Sequence, residues 1–286
     1  MPSNKVGDIE RYIRQELSDK YPLGELRMFT LMLFEAYLGW SQVELLLHRE
    51  DTINQSDLLK FHWAVEDLKK YRPIQHIIGY TEFCGLKINV TPDTLIPRPE
   101  TEEIVRLVAQ KIDKTDSLSI LDICTGSGCI ALALKSLHPQ AQIWGIDISP
   151  NALAVAQQNA KQLGLETTFS ACDILDETPL LPHNLFDVII SNPPYIRDSE
   201  KNEMHTNVLD YEPHLALFVP NEDPLIFYRS IACFATKHLE PHGLLAFEIS
   251  EHFGSETCQM LETMGFSTEL HKDFRDKDRC ILATRK

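Results

Sequence analysis

Basic residues are scarce in this 286-residue chain: 27 Lys and Arg stand against 42 Asp and Glu, a formal net charge of −15. A protein that grips a long polynucleotide by neutralising phosphates needs a basic face. The balance therefore argues against stable binding of an extended duplex or ribosomal RNA, and leaves room for one local basic patch. Paired cysteines are missing too. Cys84, Cys124, Cys129, Cys172, Cys233, Cys258 and Cys280 are odd in number, scattered and without a Cys-x-x-Cys pair, which argues against a disulfide framework or a zinc site. His238 and His242 have metal-like spacing, but Pro241 between them spoils a helical face and no third ligand is evident, so no metal is expected. No run of about 18 apolar residues occurs, and the charged stretch from Met1 to Leu17 lacks the apolar centre of a signal peptide. The expectation is a soluble, cytoplasmic protein with no membrane partner.

What is present reads as more than one folded part. The length exceeds that of an ordinary domain, and 43% hydrophobic with 24% charged residues is globular composition. Up to Arg72, apolar residues recur at helical spacing, as in Leu58, Phe61, Val65 and Leu68, or crowd both sides of a segment, as from Leu26 to Leu38. Breaks fall at Pro22-Leu23-Gly24 and Gly39. This predicts a bundle of four or five helices over 1–72, in which His48 and His62 are isolated surface or packing residues. Residues 73–95 carry short strand-like pieces (Ile77-Ile78, Tyr80 to Phe83, Leu86 to Val90) around Gly85, which predicts a β-hairpin linker. Residues 96–286 form the third part. Pro99 opens its first helix, with Glu100, Glu102 and Glu103 where the helix dipole favours acids. Ile104, Leu107, Val108 and Ile112 are its expected buried stripe.

Beyond Ser117 strand and helix alternate. Leu118 to Ile123, Ile143 to Ile148, Thr167 to Ala171, Phe186 to Ser191, Gly243 to Ser250, Phe266 to His271 and Arg279 to Ala283 read as seven strands. Helical patterns separate most of them, including Ile130 to Leu137 and the segment from Ser149-Pro150 to Gly164. That pattern predicts a doubly wound α/β domain with a mostly parallel sheet covered on both faces.

In such sheets ligands bind beyond the carboxyl ends of the strands. Asp122, Asp147 and Asp173 lie at three of those ends. Cys124-Thr125-Gly126-Ser127-Gly128 follows the first strand, and its glycines let a backbone approach a ligand that a Cβ would push away. Asp147, 25 residues after Asp122, is placed to accept hydrogen bonds from both hydroxyls of a ribose. A Gly-x-Gly turn with a downstream acid fits a nicotinamide dinucleotide or S-adenosylmethionine. The dinucleotide version wants a third glycine, where Ile130 and Ala131 stand here. Asp122 also suits a cationic amino-acid group better than a pyrophosphate.

Ser191-Asn192-Pro193-Pro194-Tyr195 follows the fourth strand. Two consecutive prolines fix a rigid turn at the strand tip. A planar NH2, on an amide or on adenine, is a poor nucleophile because its lone pair is delocalised. Two acceptors, the Asn192 side-chain carbonyl and the Pro193 backbone carbonyl, would hold its hydrogens, aim its lone pair at a methyl donor and stabilise positive charge developing on nitrogen. The Tyr195 ring would pack against the planar group. Arg98, between prolines, is either near this site or in a structural salt bridge, and Glu248 is either a buried hydrogen-bonding carboxylate or a pocket residue.

Asn-Pro-Pro-Tyr in this position resembles the amino-methyltransferases that act on planar nitrogens. A narrower resemblance lies in Pro73 to Gly79, Phe83-Cys84-Gly85 and Leu95-Ile96-Pro97-Arg98-Pro99-Glu100-Thr101-Glu102, which are similar to the HemK/PrmC family and extend the likeness over nearly the whole chain. That resemblance implies a seven-stranded Rossmann-like methyltransferase domain preceded by a helical substrate-docking domain. It also implies methyl transfer from S-adenosylmethionine, leaving S-adenosylhomocysteine, to the glutamine amide in the Gly-Gly-Gln loop of peptide chain release factors. The implied donor-binding positions are Cys124, Thr125, Gly126, Ser127, Gly128, Asp147, Asp173 and Ile174, with Asn192 also touching the donor. The implied substrate clamp is Asn192, Pro193, Pro194 and Tyr195, of which Asn192, Pro193 and Tyr195 are catalytic. Cys124 departs from the family's glycine, and Phe218 to Pro224 replaces a glycine-rich stretch. An adenine amino-methyltransferase shares the clamp chemistry but needs a basic groove, for which Arg197, Lys201 and His205 make only a thin patch. A non-catalytic binding module is the third reading.

Overall fold

The computed structural model describes residues 3–112, 117–176, 185–273 and 275–285. The chain forms two compact units, residues 1–79 with 205–211 and residues 80–204 with 212–286.

The smaller unit holds α1 (Val6–Leu17), α2 (Leu23–Leu38), α3 (Gln42–Leu47), α4 (Gln55–Leu68), α5 (Ile74–Ile78) and, from far along the chain, α9 (Thr206–Leu209). Ile9, Ile13 and Leu17 of α1 and Leu58, Phe61, Val65 and Leu68 of α4 share one core, as their spacing requires. Ser41 and Glu44 cap α3 reciprocally, the Asn54 side chain caps α4, and Gly39 ends α2 in the left-handed region. Ile77 and Ile78, read from sequence as strand, are helical here. Pro73 precedes that short turn, Gly79 (φ 85°) ends it, and both isoleucines pack on the bundle core.

The larger unit begins with the hairpin β1 (Tyr80–Phe83) and β2 (Leu86–Asn89), turned by Cys84 and Gly85, both at positive φ. Phe83 and Ile88 of this hairpin are buried in the larger unit's core. Then come α6 (Pro99–Lys111), β3 (Ser119–Ile123), α7 (Cys129–Leu137), β4 (Gln142–Asp147), α8 (Pro150–Leu163), β5 (Thr168–Ala171), β6 (Phe186–Ser191), β7 (Ile196–Arg197), β8 (Phe218–Val219), α10 (Ile226–His238), β9 (Leu239–Glu248), α11 (Gly254–Thr263), β10 (Phe266–Lys272) and β11 (Asp278–Arg285). Seven strands form one sheet in the order β10-β11-β9-β6-β3-β4-β5. The β9-β6-β3-β4-β5 run is parallel and β11 is antiparallel to both neighbours. This is the seven-stranded, mostly parallel α/β fold that the strand pattern predicts. α6, α7 and α8 cover one face and α10 and α11 the other, each over its own apolar core. The buried face of α6 differs slightly from its predicted stripe: Thr101, Ile104, Val105 and Val108 are buried, while Leu107 and Ile112 are only partly so.

The chain runs β3 to β4 to β5 in one direction, then returns to place β6 on the other side of β3. That reversal puts the loops after β3, β4 and β6 around one crevice.

Candidate active site

The turn after β3 is held by its own backbone and by two aspartates. Thr125 N–H donates to the Ile146 carbonyl (3.0 Å), tying the turn to β4, and Gly128 N–H donates to the Thr125 carbonyl (2.8 Å). Asp122 lies inside, fully buried. Its Oδ2 accepts from Thr125 Oγ1 (2.6 Å) and from Ala131 N–H in the first turn of α7 (3.2 Å), while Oδ1 meets no partner. Desolvation pushes this carboxyl up to about 7. Asp122 is thus an internal brace and does not line the cleft, because strand alternation turns it toward α7 while Leu121 and Ile123 face the opposite core.

Asp147 ends β4, half-buried. Its Oδ2 accepts from Gly126 N–H (2.9 Å) and its Oδ1 from Ser149 N–H (2.9 Å), and burial raises its carboxyl above the ordinary value. Each oxygen keeps a further lone pair. After β5, Asp173 Oδ1 accepts from Leu175 N–H (2.9 Å) and Ile174 is buried. One cleft brings together Cys124, Thr125, Gly126, Ser127, Asp147, Asp173, Ile174, Asn192 and Pro194. Gly128 serves differently. At φ 79° it starts α7, and a Cβ there would stand 3.0 Å from the Phe169 ring and 3.1 Å from the Ala156 Cβ. Cys124 adopts φ 60°, so the thiol-bearing residue takes the left-handed backbone that favours glycine.

In the turn after β6, Asn192 is half-buried and Pro193 and Pro194 are buried; Asn192 and Pro194 line the cleft, whereas Pro193 and Tyr195 are not among its lining residues. Asn192 Nδ2 donates to Thr101 Oγ1 (3.2 Å), and Thr101 Oγ1 donates to Glu248 Oε2 (2.6 Å). Tyr195 OH donates to Glu248 Oε1 (3.3 Å), and the half-buried Tyr195 ring packs against the core beneath α10. Burial raises Glu248 above the usual carboxylate range, opposed by the Thr101 hydrogen bond, the Arg279 charge and the Tyr195 hydrogen bond.

Three supporting residues escaped the sequence reading. Glu212, 4% exposed, accepts from Ile96 N–H (3.0 Å) and pairs with Arg98. It fastens the loop before α6 to the Pro213 loop, and both loops line the cleft. Arg98 therefore sits in a structural ion pair. Asn159 on α8, fully buried, donates to the carbonyls of Asn89 (3.1 Å) and Ser127 (3.0 Å), pinning the turn after β3 to the hairpin. Thr101 is the third. His238 stacks on Phe234, with ring centroids 4.2 Å apart. Among the described residues no helix is long and apolar enough to cross a membrane.

The cleft fits S-adenosylmethionine. Gly126, at φ 55°, has nothing within 4 Å of where a Cβ would stand, so a ligand can lie on its backbone. Asp147 offers two oriented oxygens for vicinal hydroxyls, and Ile146, Ile148 and Ile174 supply apolar walls for a purine.

Comparison with known proteins agrees with this geometry. Residues 114–248 match a family model described as a methyltransferase domain, and residues 9–79 match the PrmC N-terminal domain. A release factor glutamine methyltransferase of Flavobacterium psychrophilum is 44% identical over 93% of this chain and 94% of its own. One from Bacteroides thetaiotaomicron is 40% identical over 97% and 99%. The crystal structure of a methyltransferase from Pyrococcus furiosus shares the fold, with TM-score 0.51 and 18% identity over 70% of this chain and 88% of that one. The nucleotide-ready cleft on a seven-stranded sheet, the Asn-Pro-Pro-Tyr turn and this breadth of identity lead to one conclusion: the chain belongs to the release factor glutamine methyltransferase family.

Proposed function

We propose that this protein methylates, in the cytoplasm, the side-chain amide nitrogen of the glutamine in the Gly-Gly-Gln loop of peptide chain release factors. The observation that carries the reading is the presence of Asn192 on the wall of the same cleft as the Cys124 to Ser127 turn and Asp147. Bound S-adenosylmethionine supplies an electrophilic methyl group on a sulfonium sulfur. The turn after β3 holds its amino-acid end, Asp147 its ribose hydroxyls, and Asp173 and Ile174 its adenine. Asn192 Oδ1 and the Pro193 carbonyl accept the two hydrogens of the substrate amide. That fixes the nitrogen and places partial negative charge where positive charge develops. No general base is required, because an N-alkylated amide cation is a strong acid that sheds its proton readily. Tyr195 braces the turn through Glu248, and the helical unit helps dock the release factor.

The test is mass spectrometry of a release factor after incubation with the enzyme and the methyl donor. One added methyl on the loop glutamine is expected, and none when that glutamine is changed to alanine. Undiminished labelling of the altered factor would remove the assignment. Salt-sensitive methylation of adenine in a hairpin or duplex would replace it with the nucleic-acid reading.

A further inference from the structure

We propose that Thr101 and Glu248 are positioning residues that decide which end of the Asn192 amide meets the substrate. The inference rests on the functional reading above and adds to it a determinant outside the Asn-Pro-Pro-Tyr turn. The two ends of an asparagine amide have nearly the same shape and opposite hydrogen-bonding character: Oδ1 accepts and Nδ2 donates. A clamp for an NH2 group needs the acceptor. An amide rotated by a half turn presents its own hydrogens to the substrate's hydrogens and repels them.

The buried relay removes that ambiguity link by link. Both oxygens of Glu248 accept, Oε1 from the Tyr195 hydroxyl and Oε2 from that of Thr101 at 2.6 Å, so the Thr101 hydrogen points at the carboxyl. A hydroxyl has one hydrogen, so what Thr101 then offers Asn192 is a lone pair. Only Nδ2 can meet a lone pair, and it does so at 3.2 Å. Oδ1 is left for the cleft. Thr101 is 2% exposed and Glu248 1%, so solvent does not supply a competing partner. The second carboxylate oxygen is occupied by Tyr195 at 3.3 Å, which makes the turn a support of the carboxylate that orients it. The same chain of polarised hydrogen bonds increases the negative character of Oδ1, where the substrate nitrogen's growing charge is felt.

The experiment uses the full-length enzyme with intact release factor, and side-chain amide NMR as a readout independent of methylation. In the wild type the Asn192 NH2 pair, assigned by its absence in Asn192→Asp, should exchange slowly with solvent. Thr101→Val keeps the shape and removes the relay. It should expose that pair to exchange and lower kcat by about 10- to 100-fold, at or below the loss from deleting one preorganised partner, with donor affinity unchanged. Thr101→Ser should restore both signals to near wild type. Glu248→Gln can present an NH2 to Thr101, turn its hydroxyl around and invert the relay, so it should lose kcat at least as heavily. Unchanged kcat and exchange in Thr101→Val would overturn the proposal. So would a Thr101→Ser variant as impaired as Thr101→Val, or lost turnover with the Asn192 pair still protected. A protected Asn192 pair sensitive to Thr101→Val, in an enzyme that does not methylate release factor, would support the orientation and sink the substrate assignment instead.

Discussion

The two walls of the cleft hold their polar groups by different means. On the wall formed by the turn after β3 and Asp147, the proposed donor wall, backbone groups supply most of the contacts: Asp147 sits between the N–H groups of Gly126 and Ser149, and the turn is tied to β4 through main-chain atoms. Around Asn192 side chains supply them: Asn192 and Tyr195 come from the turn after β6, Thr101 from α6 and Glu248 from β9. The buried carboxylates repeat the contrast. Asp122 leaves one oxygen without a partner, whereas Glu248 has a partner on each and a nearby Arg279. A wall made of backbone should be sensitive to conformation, and a wall made of side chains to the loss of single groups.

The largest expected effect separates the two carboxylates by pH. The Asp122 carboxyl rises from 3.8 to about 7 in the folded protein, so between these values the native state holds a proton that the unfolded chain has released. Its contribution to stability is full below about pH 4 and is lost as pH rises through about 7, by on the order of 4 kcal/mol. Asp122→Asn removes this slope. Denaturant unfolding of both proteins at pH 4.5 and 8 should show the wild type losing stability relative to the variant. A pH-independent difference would mean that Asp122 stays ionised in the folded protein.

Next comes the side-chain wall. Asn192→Ala should lower turnover on release factor by about 10²- to 10³-fold and leave calorimetric donor binding intact. Equal losses in both would show that Asn192 serves the donor and that the walls are not separable. Asp147→Ala is the reciprocal case. Losing hydrogen bonds from a charged acceptor, worth about 1.5–3 kcal/mol, should weaken donor affinity about 10- to 100-fold while turnover at saturating donor is largely kept.

The same contrast explains what the sequence made legible. The turn after β3 and the Asn-Pro-Pro-Tyr turn are contiguous strings at strand ends, so local rules for glycine, proline and strand termini reveal them, and short apolar runs separated by helical patterns reveal the seven strands. Thr101 and Glu248 lie 147 residues apart, and Glu212 reaches back 116 residues to Ile96. No local period records such pairs. Only the order of strands in the sheet brings them together. Asp122 differs from its expected place for a related reason: it is fully buried and does not line the cleft. Its position at a strand end suggested a ligand, but the decisive fact is which face of β3 it occupies. Ile77 and Ile78 show the opposite failure, since two adjacent β-branched residues fit a strand or a helical turn and the bundle core selected the turn.

The smallest effect tests the donor wall's dependence on conformation. Cys124 holds φ 60°, where a side chain costs about 1–2 kcal/mol relative to the right-handed region. Glycine removes that strain but adds roughly 0.5–1 kcal/mol of backbone freedom to the unfolded chain. Cys124 also packs partly on the core beneath α10, so truncation gives up some apolar contact. These terms nearly cancel, and Cys124→Gly should change unfolding free energy by less than about 1 kcal/mol, with donor affinity preserved because the turn's path is unaltered. Cys124→Val is the informative partner, since a β-branched residue is a far poorer occupant of positive φ. It should lower stability and weaken donor binding together as the turn shifts. If valine were as well tolerated as glycine in both measurements, side-chain identity at 124 would be irrelevant to the turn, and the donor wall would owe its shape to the ties from Asp122, Asp147 and Asn159 alone.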